Sequence, residues 1–266
     1  MIPIIGATLW QRRWSTFWWA FGISVFMVIS LAFYPTFRDQ AAQINQALSH
    51  LPETAKSLLS DTNSFTTPED FLSGRVFYLM LPLLLSIMSI MIGSSLIAVE
   101  EDSGTIELIL SKPVSRWKLL AAKALAGIII LSAVSIAALF SALIIGHLVH
   151  IGVSVLNIEV ATLFAVILSL LFGALAFAIT TFGRSARTAS AGAAAFIALG
   201  SYVVSSLAGV VSWLHWPAKA LPHHYYRPSE ILYGNYGWHN AVGLLLAVVI
   251  LAIISWMAFR RRDIGV

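Results

Sequence analysis

Three groups of residues have types and spacings that could do chemistry. The first is histidine: His50, His147, His150, His215, His223, His224 and His239. His147 and His150 stand at i, i+3, on one face of a helix, and His223 and His224 are adjacent. Imidazoles bind metals and titrate near neutral pH, so the chemistry on offer is a metal site or a pH-responsive gate. The chain has no cysteine and no carboxylate cluster to complete a ligand set. No metal ligand is therefore assigned, and interfacial placement of an amphipathic ring explains these residues as well. The second group is Glu100-Glu101, which could act as a general acid and base, yet consecutive residues point to different helix faces. The third is Ser115 with Lys118, the S-x-x-K spacing of some acyl-enzymes, without the motifs that accompany it. No catalytic residue is assigned. A G-x-x-x-x-G-K-[ST] phosphate loop is also absent from the sequence, so the chain is not expected to bind or hydrolyse ATP itself.

The elements that position these residues follow from composition. Of 266 residues, 59% are hydrophobic and 11% are Asp, Glu, Lys or Arg, where a soluble domain carries roughly 25% charged residues. So few charges cannot wet a soluble surface, which excludes a soluble enzyme, a disordered chain and a fibrous protein. The missing cysteines exclude disulfide frameworks and thiol nucleophiles. An all-α polytopic membrane protein remains.

A bilayer core of ~30 Å needs ~20 apolar residues in a helix. Six stretches meet that length without an internal charge: about 14–34, 76–99, 124–149, 160–182, 189–213 and 240–259. Backbone polar groups in lipid must be paired internally, and these runs lack the alternation of barrel strands, so they are expected to be helices. Together they form a single transmembrane domain over 1–266. Arg12 and Arg13 precede the first run as in a signal peptide, but no small-residue cleavage site follows, and an uncleaved anchor is expected.

Lys and Arg placement sets the sides. With the N-terminus in the cytoplasm, the inner face receives eleven of the sixteen basic residues: Arg12, Arg13, Lys112, Arg116, Lys118, Lys123, Arg184, Arg187 and Arg260 to Arg262. The acidic residues divide five inside and seven outside, giving +6 within and −2 without. The net charge of +4 thus encodes topology and does not point to nucleic acid. Both termini are expected in the cytoplasm, and every histidine falls outside. The long outer loop, 35–75, contains a helical stretch at 41–59 that Pro52 should kink or divide. The last outer connection, 214–239, is rich in His, Tyr, Trp and Pro, and reads as partly embedded.

The inner connection 100–118 carries most information. Asp102 or Ser103 can cap a helix start, and Glu107 sits early enough to favour the positive end of the helix dipole. Ile106, Ile109 and Leu110 give that short helix an apolar face, Pro113 ends it, and Ser115 can cap the next. On these residues alone, an ordinary interfacial helix and a protein-docking helix stand about even.

The stretch from Glu100 to Lys123 has acidic residues, Gly-Thr, a Glu, a Leu-containing turn, then Pro-Val-Ser-Arg and a Lys. It resembles the signature loop of type-2 ABC transporter permeases, and the six-helix layout is similar to that family along nearly the whole chain. The resemblance implies that Glu100, Glu101, Gly104, Thr105, Glu107, Pro113, Ser115 and Arg116 form an ATPase-coupling loop, with Ile106, Ile109 and Leu110 as its docking face. It further implies a partner ABC ATPase subunit carrying ATP and Mg, no cofactor on this chain, and a second permease chain, identical or a sister. The expected setting is the plasma membrane of a prokaryote, and the expected direction is export.

Two further features bear on transport. The spans contain no Asp, Glu, Lys or Arg, residues that ion-coupled carriers place within the membrane, so the path is expected to be apolar or lined by hydroxyls such as Ser86, Ser89, Ser94, Ser95, Thr180 and Thr181. The plainer reading is that these hydroxyls bond helix backbone. The small-residue run Ala189 to Ala195 permits close helix approach, within the chain or between permeases. Two alternatives stay open: a membrane enzyme or metal-dependent protein with an outward His-rich site, and a non-transporting sensor that uses the same ATPase contact.

Overall fold

The computed structural model describes residues 1–62, 67–102, 104, 115–183 and 187–261, with the side chain of residue 102 left aside. Six helices among them are long and apolar enough to cross a membrane. We name the principal ones α1 (Ile2–Ala32), α2 (Met80–Ser95), α3 (Arg116–Leu148), α4 (Val155–Phe182), α5 (Arg187–Leu207) and α6 (Trp238–Arg261). No strand occurs among the described residues. The protein is an all-α, polytopic membrane protein.

α1, α3, α4 and α6 begin before the apolar stretches that define them, whereas α2 falls short of 76–99 at both ends and α5 ends at Leu207, before 213. α1 begins at Ile2, with Pro3 in its first turn where a missing N–H costs nothing, so Arg12 and Arg13 lie within the helix. α3 begins at Arg116 and therefore includes Lys118 and Lys123. Hydropathy marks where a helix meets lipid, whereas helical hydrogen bonding continues into the charged interface.

α4 is the central element, packing most extensively on α2 and then on α6. It is buried almost all round, from Ile158 to Thr181. The α2–α4 crossing is set by two glycines. A Cβ on Gly93 would lie 2.1 Å from the Gly173 carbonyl oxygen, and one on Gly173 would lie 2.0 Å from Ser89 Oγ. Only glycine lets the two backbones approach this closely. Across the same seam, the Ser86 hydroxyl donates to Ser169 Oγ at 3.2 Å.

α1 packs chiefly on α3. Ile23, Met27 and Leu31 recur every fourth residue on its inner face and are fully buried. α3 answers with Ala122, Ala126, Ile130, Val134, Ala138 and Ala142, also every fourth residue and buried. The opposite face of α1 exposes Trp14, Phe17, Trp18 and Phe21, a surface suited to lipid.

Between α1 and α2, Pro52 separates two short helices, Ala41–Ser49 and Glu53–Leu59. The stretch after α5 forms short turns, His215–Ala218, Pro222–Tyr225 and Pro228–Leu232, whose Ala218, Tyr226, Ile231 and Leu232 are buried against the bundle. Both segments lie over one end of the helices. The other end carries Arg12, Glu100, Lys123 and Arg187.

Candidate functional site

At the basic end, Lys123 of α3 donates to the Glu100 carboxylate on the short helix Ala98–Asp102 that continues α2. Both side chains are withdrawn from solvent, 5% and 15% exposed. The pair ties α2 to α3 directly before the connection between them. Beside it the Arg12 guanidinium of α1 donates to Ser95 Oγ at 2.6 Å. Ser95 in turn donates to the Met91 and Ile92 carbonyls at 2.6 and 2.9 Å. Arg187 and Glu100 both lie within electrostatic reach of Arg12. Four helices therefore contribute charge or hydroxyl groups to one patch.

The connection itself leaves this patch through Gly104, whose φ of +69° lies in the left-handed region that glycine enters without strain. Its N–H donates to the Glu101 carbonyl at 3.2 Å, closing the end of the helix. Glu101 is half-buried on that helix. Ser115 takes the N-cap position of α3 with extended backbone, and its carbonyl accepts from the Leu119 N–H at 3.2 Å, although its hydroxyl forms no cap bond. Arg116 is the first residue of α3, and the adjacent Trp117 packs edge-on against Trp256 of α6, ring centres 6.1 Å apart. Thr105, Ile106, Glu107, Ile109, Leu110 and Pro113 lie outside the described residues, as does the helix that Asp102 or Ser103 is expected to cap. The Glu100–Lys123 pair was not foreseen: the helix capped by Ser115 was expected to run through Lys123, but its partner lies 23 positions away on another helix, a separation no helical period signals.

The hydroxyls expected along a path are buried among α2 and α4. Thr180 donates to the Phe177 carbonyl and Thr181 to that of Ala178, each at 2.7 Å. Ser94 donates to the Met91 carbonyl at 3.3 Å. Ser86 borders an apolar cavity of about 240 Å³ between α2 and α5, and Ser89 borders one of about 290 Å³ among α2, α3, α4 and α6.

The opposite end is closed by a polar layer. The Tyr78 hydroxyl lies 2.7 Å from both the Ser57 carbonyl and Ser206 Oγ, and the Tyr202 hydroxyl donates to the Leu58 carbonyl. Asp61 accepts from the Ser73 hydroxyl at 2.5 Å and the Ser229 N–H at 2.9 Å. Asn157 donates to the Leu232 carbonyl at 2.7 Å and accepts from the Tyr236 hydroxyl at 2.8 Å. The histidines are spread along this layer. His147 and His150 stand 6.4 Å apart, while His223 sits against Phe172 and Tyr202. Burial pushes the His223 imidazole down to about 4, so it is neutral at physiological pH. Among the described residues no group of three or more His, Cys, Asp or Glu is placed to hold a metal ion.

Fold and composition define a multi-pass membrane protein with a charged joint between its second and third spans. The sequence matches the family model of the ABC-2 family transporter protein over residues 9–264, and the chain belongs to that family. No curated protein matches it. It is thus the membrane permease component of an ABC transporter, the type of subunit that works with an ABC ATPase.

Proposed function

We propose that this chain is the permease subunit of an ABC exporter in a prokaryotic plasma membrane, driven by ATP hydrolysed on a separate subunit. The ATPase docks at 100–118, with Ile106, Ile109 and Leu110 as the apolar contact and Glu107 and Arg116 as the charged one. The termini and this connection face the cytoplasm. A second permease chain, the same or a sister, completes the transporter.

The observation that most supports this reading is the buried Glu100–Lys123 pair at the root of the connection. A pull or push on the connection reaches α2 through Glu100 and α3 through Lys123 and Arg116, so the two spans move as one body. Arg12 extends the linkage to α1 through Ser95. Ser86 and Ser89 mark the parts of the hydroxyl set that border open space, and the path is proposed to open along them, with Ser94, Thr180 and Thr181 nearer the basic end of the same helices. Grouping of the basic residues at one end supports the cytoplasmic assignment.

The test is recovery of an ATP-hydrolysing partner with the tagged chain. Wild-type protein should bring down an ATPase bearing a phosphate loop, and Glu107→Ala or Arg116→Ala should reduce its recovery or its stimulated turnover by about tenfold, the loss of one charge-assisted contact at an interface. Full recovery and full turnover in both variants would contradict the docking assignment.

A further inference from the structure

The end of the bundle opposite the coupling patch contains a polar cavity of about 510 Å³ between the Glu53–Leu59 helix, α5 and the turns that follow α5. The apolar cavity of about 240 Å³ between α2 and α5 lies directly beneath it, since Tyr202 and His223 line both. The lower cavity is walled by Leu79, Leu83, Ile90 and Ala198, and its rim residues Ile87 and Leu199 are exposed on the lipid-facing surface. A polar cavity and an apolar one thus adjoin at the Tyr202 and His223 rings.

The charged groups Lys56, Arg227 and Asp61 beside the upper cavity are each held by partners within the protein. Lys56 pairs with Glu53 at 2.8 Å and Arg227 with Glu230 at 2.8 Å, while Asp61 accepts from Ser73 and Ser229. Among the described residues, Ser205 Oγ and His223 Nδ1 are buried without a hydrogen-bond partner. Both residues line the upper cavity. A buried donor or acceptor left unpaired forfeits its hydration with nothing in return, and each group is neutral. Neutral hydrogen-bonding groups above suffice to satisfy them, and the apolar lining of the lower cavity suits a hydrocarbon chain.

We infer that these two adjoining cavities act together, opening to one another past the Tyr202 and His223 rings, as a binding site for a single-chain amphiphile with a neutral, hydroxyl- or amide-bearing head. The head bonds His223 and Ser205 in the upper cavity, and the chain lies between α2 and α5, entering or leaving past Ile87 and Leu199. This inference rests on the exporter reading for its role, as the site through which cargo passes; the binding itself is separable from that role.

The test uses the permease with its ATPase in lipid nanodiscs and a dodecyl maltoside carrying a photoreactive diazirine on the alkyl chain, below its micelle-forming concentration. Labelling should map to residues 79–90 and 195–202, and excess unlabelled dodecyl maltoside should compete it. His223→Phe, which keeps the ring against Phe172, and Ser205→Ala should each weaken labelling about fivefold, the loss of one neutral hydrogen bond, while His147→Phe leaves it unchanged. Thermal unfolding of each variant confirms that it is folded. A site of mere hydrophobic affinity would label equally with a diazirine alkane and would be indifferent to His223 and Ser205, and either result overturns the inference. Absent labelling in a complex that retains its ATPase overturns the site alone. Specific labelling of a chain that recovers no ATPase supports the site and removes the exporter reading.

Discussion

Glu100 and Lys123 show what single residues do in a protein with so few charges. Lys123 is 4% exposed, and its ammonium is held by the carboxylate on the neighbouring span. Glu100→Gln leaves that ammonium buried without its carboxylate, which should cost about 3–5 kcal/mol, because removing one partner of a buried pair is worse than removing both. Glu100→Gln combined with Lys123→Met should recover most of the loss in a thermal unfolding assay. Equal destabilisation in single and double variants would contradict a mutual pair. His223 gives a second prediction at this scale. Its pKa is depressed in the folded protein, so between pH 6.5 and about 4 an opened chain takes up a proton that the folded one refuses. Stability should be insensitive to this residue above pH 6.5 and should fall as the pH drops through that window. His223→Gln cannot titrate, and its unfolding temperature should show a smaller acid dependence than wild type. Identical pH profiles would sink the assignment. The histidines, Glu100 and Lys123 were all visible as sequence, but their partners were not. Tyr202 bonds a carbonyl 144 positions away and Arg12 a hydroxyl 83 positions away, and neither separation follows any helical period.

At the scale of elements, the α2–α4 crossing depends on Gly93 and Gly173. Replacing Gly93 by Ala puts a methyl group 2.1 Å from a backbone oxygen, which no rotamer relieves, so the helices must separate. A loss of about 2 kcal/mol or more is expected, at the upper part of the usual cost of overpacking. Gly22→Ala, whose added methyl meets nothing within 4 Å, serves as the control and should be neutral or slightly stabilising through helix propensity. Comparable losses for both would show that propensity, not the crossing, decides. The existence and type of these helices were legible because each holds an apolar run long enough for a bilayer. Their ends were less so. Pro52 divides the outer helices at the position its chemistry dictates and α3 opens after Ser115 as expected, whereas α1 extends back past its apolar run because Arg12 and Arg13 are good helix formers with nothing to stop them. The central role of α4 had no sequence signal beyond its Gly173 and even hydrophobicity. Which of six similar helices lies in the middle is decided by mutual packing.

For the whole molecule, charge and packing agree on a division into two ends. One gathers Arg12, Glu100, Lys123 and Arg187 around the root of the 100–118 connection, and the other is sealed by tyrosines, serines and histidines. The positive-inside bias of the sequence anticipated that division, and membership of the ABC-2 family gives it a purpose. In the proposed account, force enters at the basic end, and α2, pinned to α4 at Gly93, carries it to the cavities at the other. The absence of native cysteine makes the central claim directly measurable. A single cysteine in place of Ile109, bearing a short photo-crosslinker, should join the chain to an ATP-binding subunit in native membranes, and the yield should change when ATP hydrolysis is trapped. The same probe in place of Ser60, at the opposite end, should give no such product. Crosslinking to an ATP-binding chain from position 60 and not from position 109 would contradict the account.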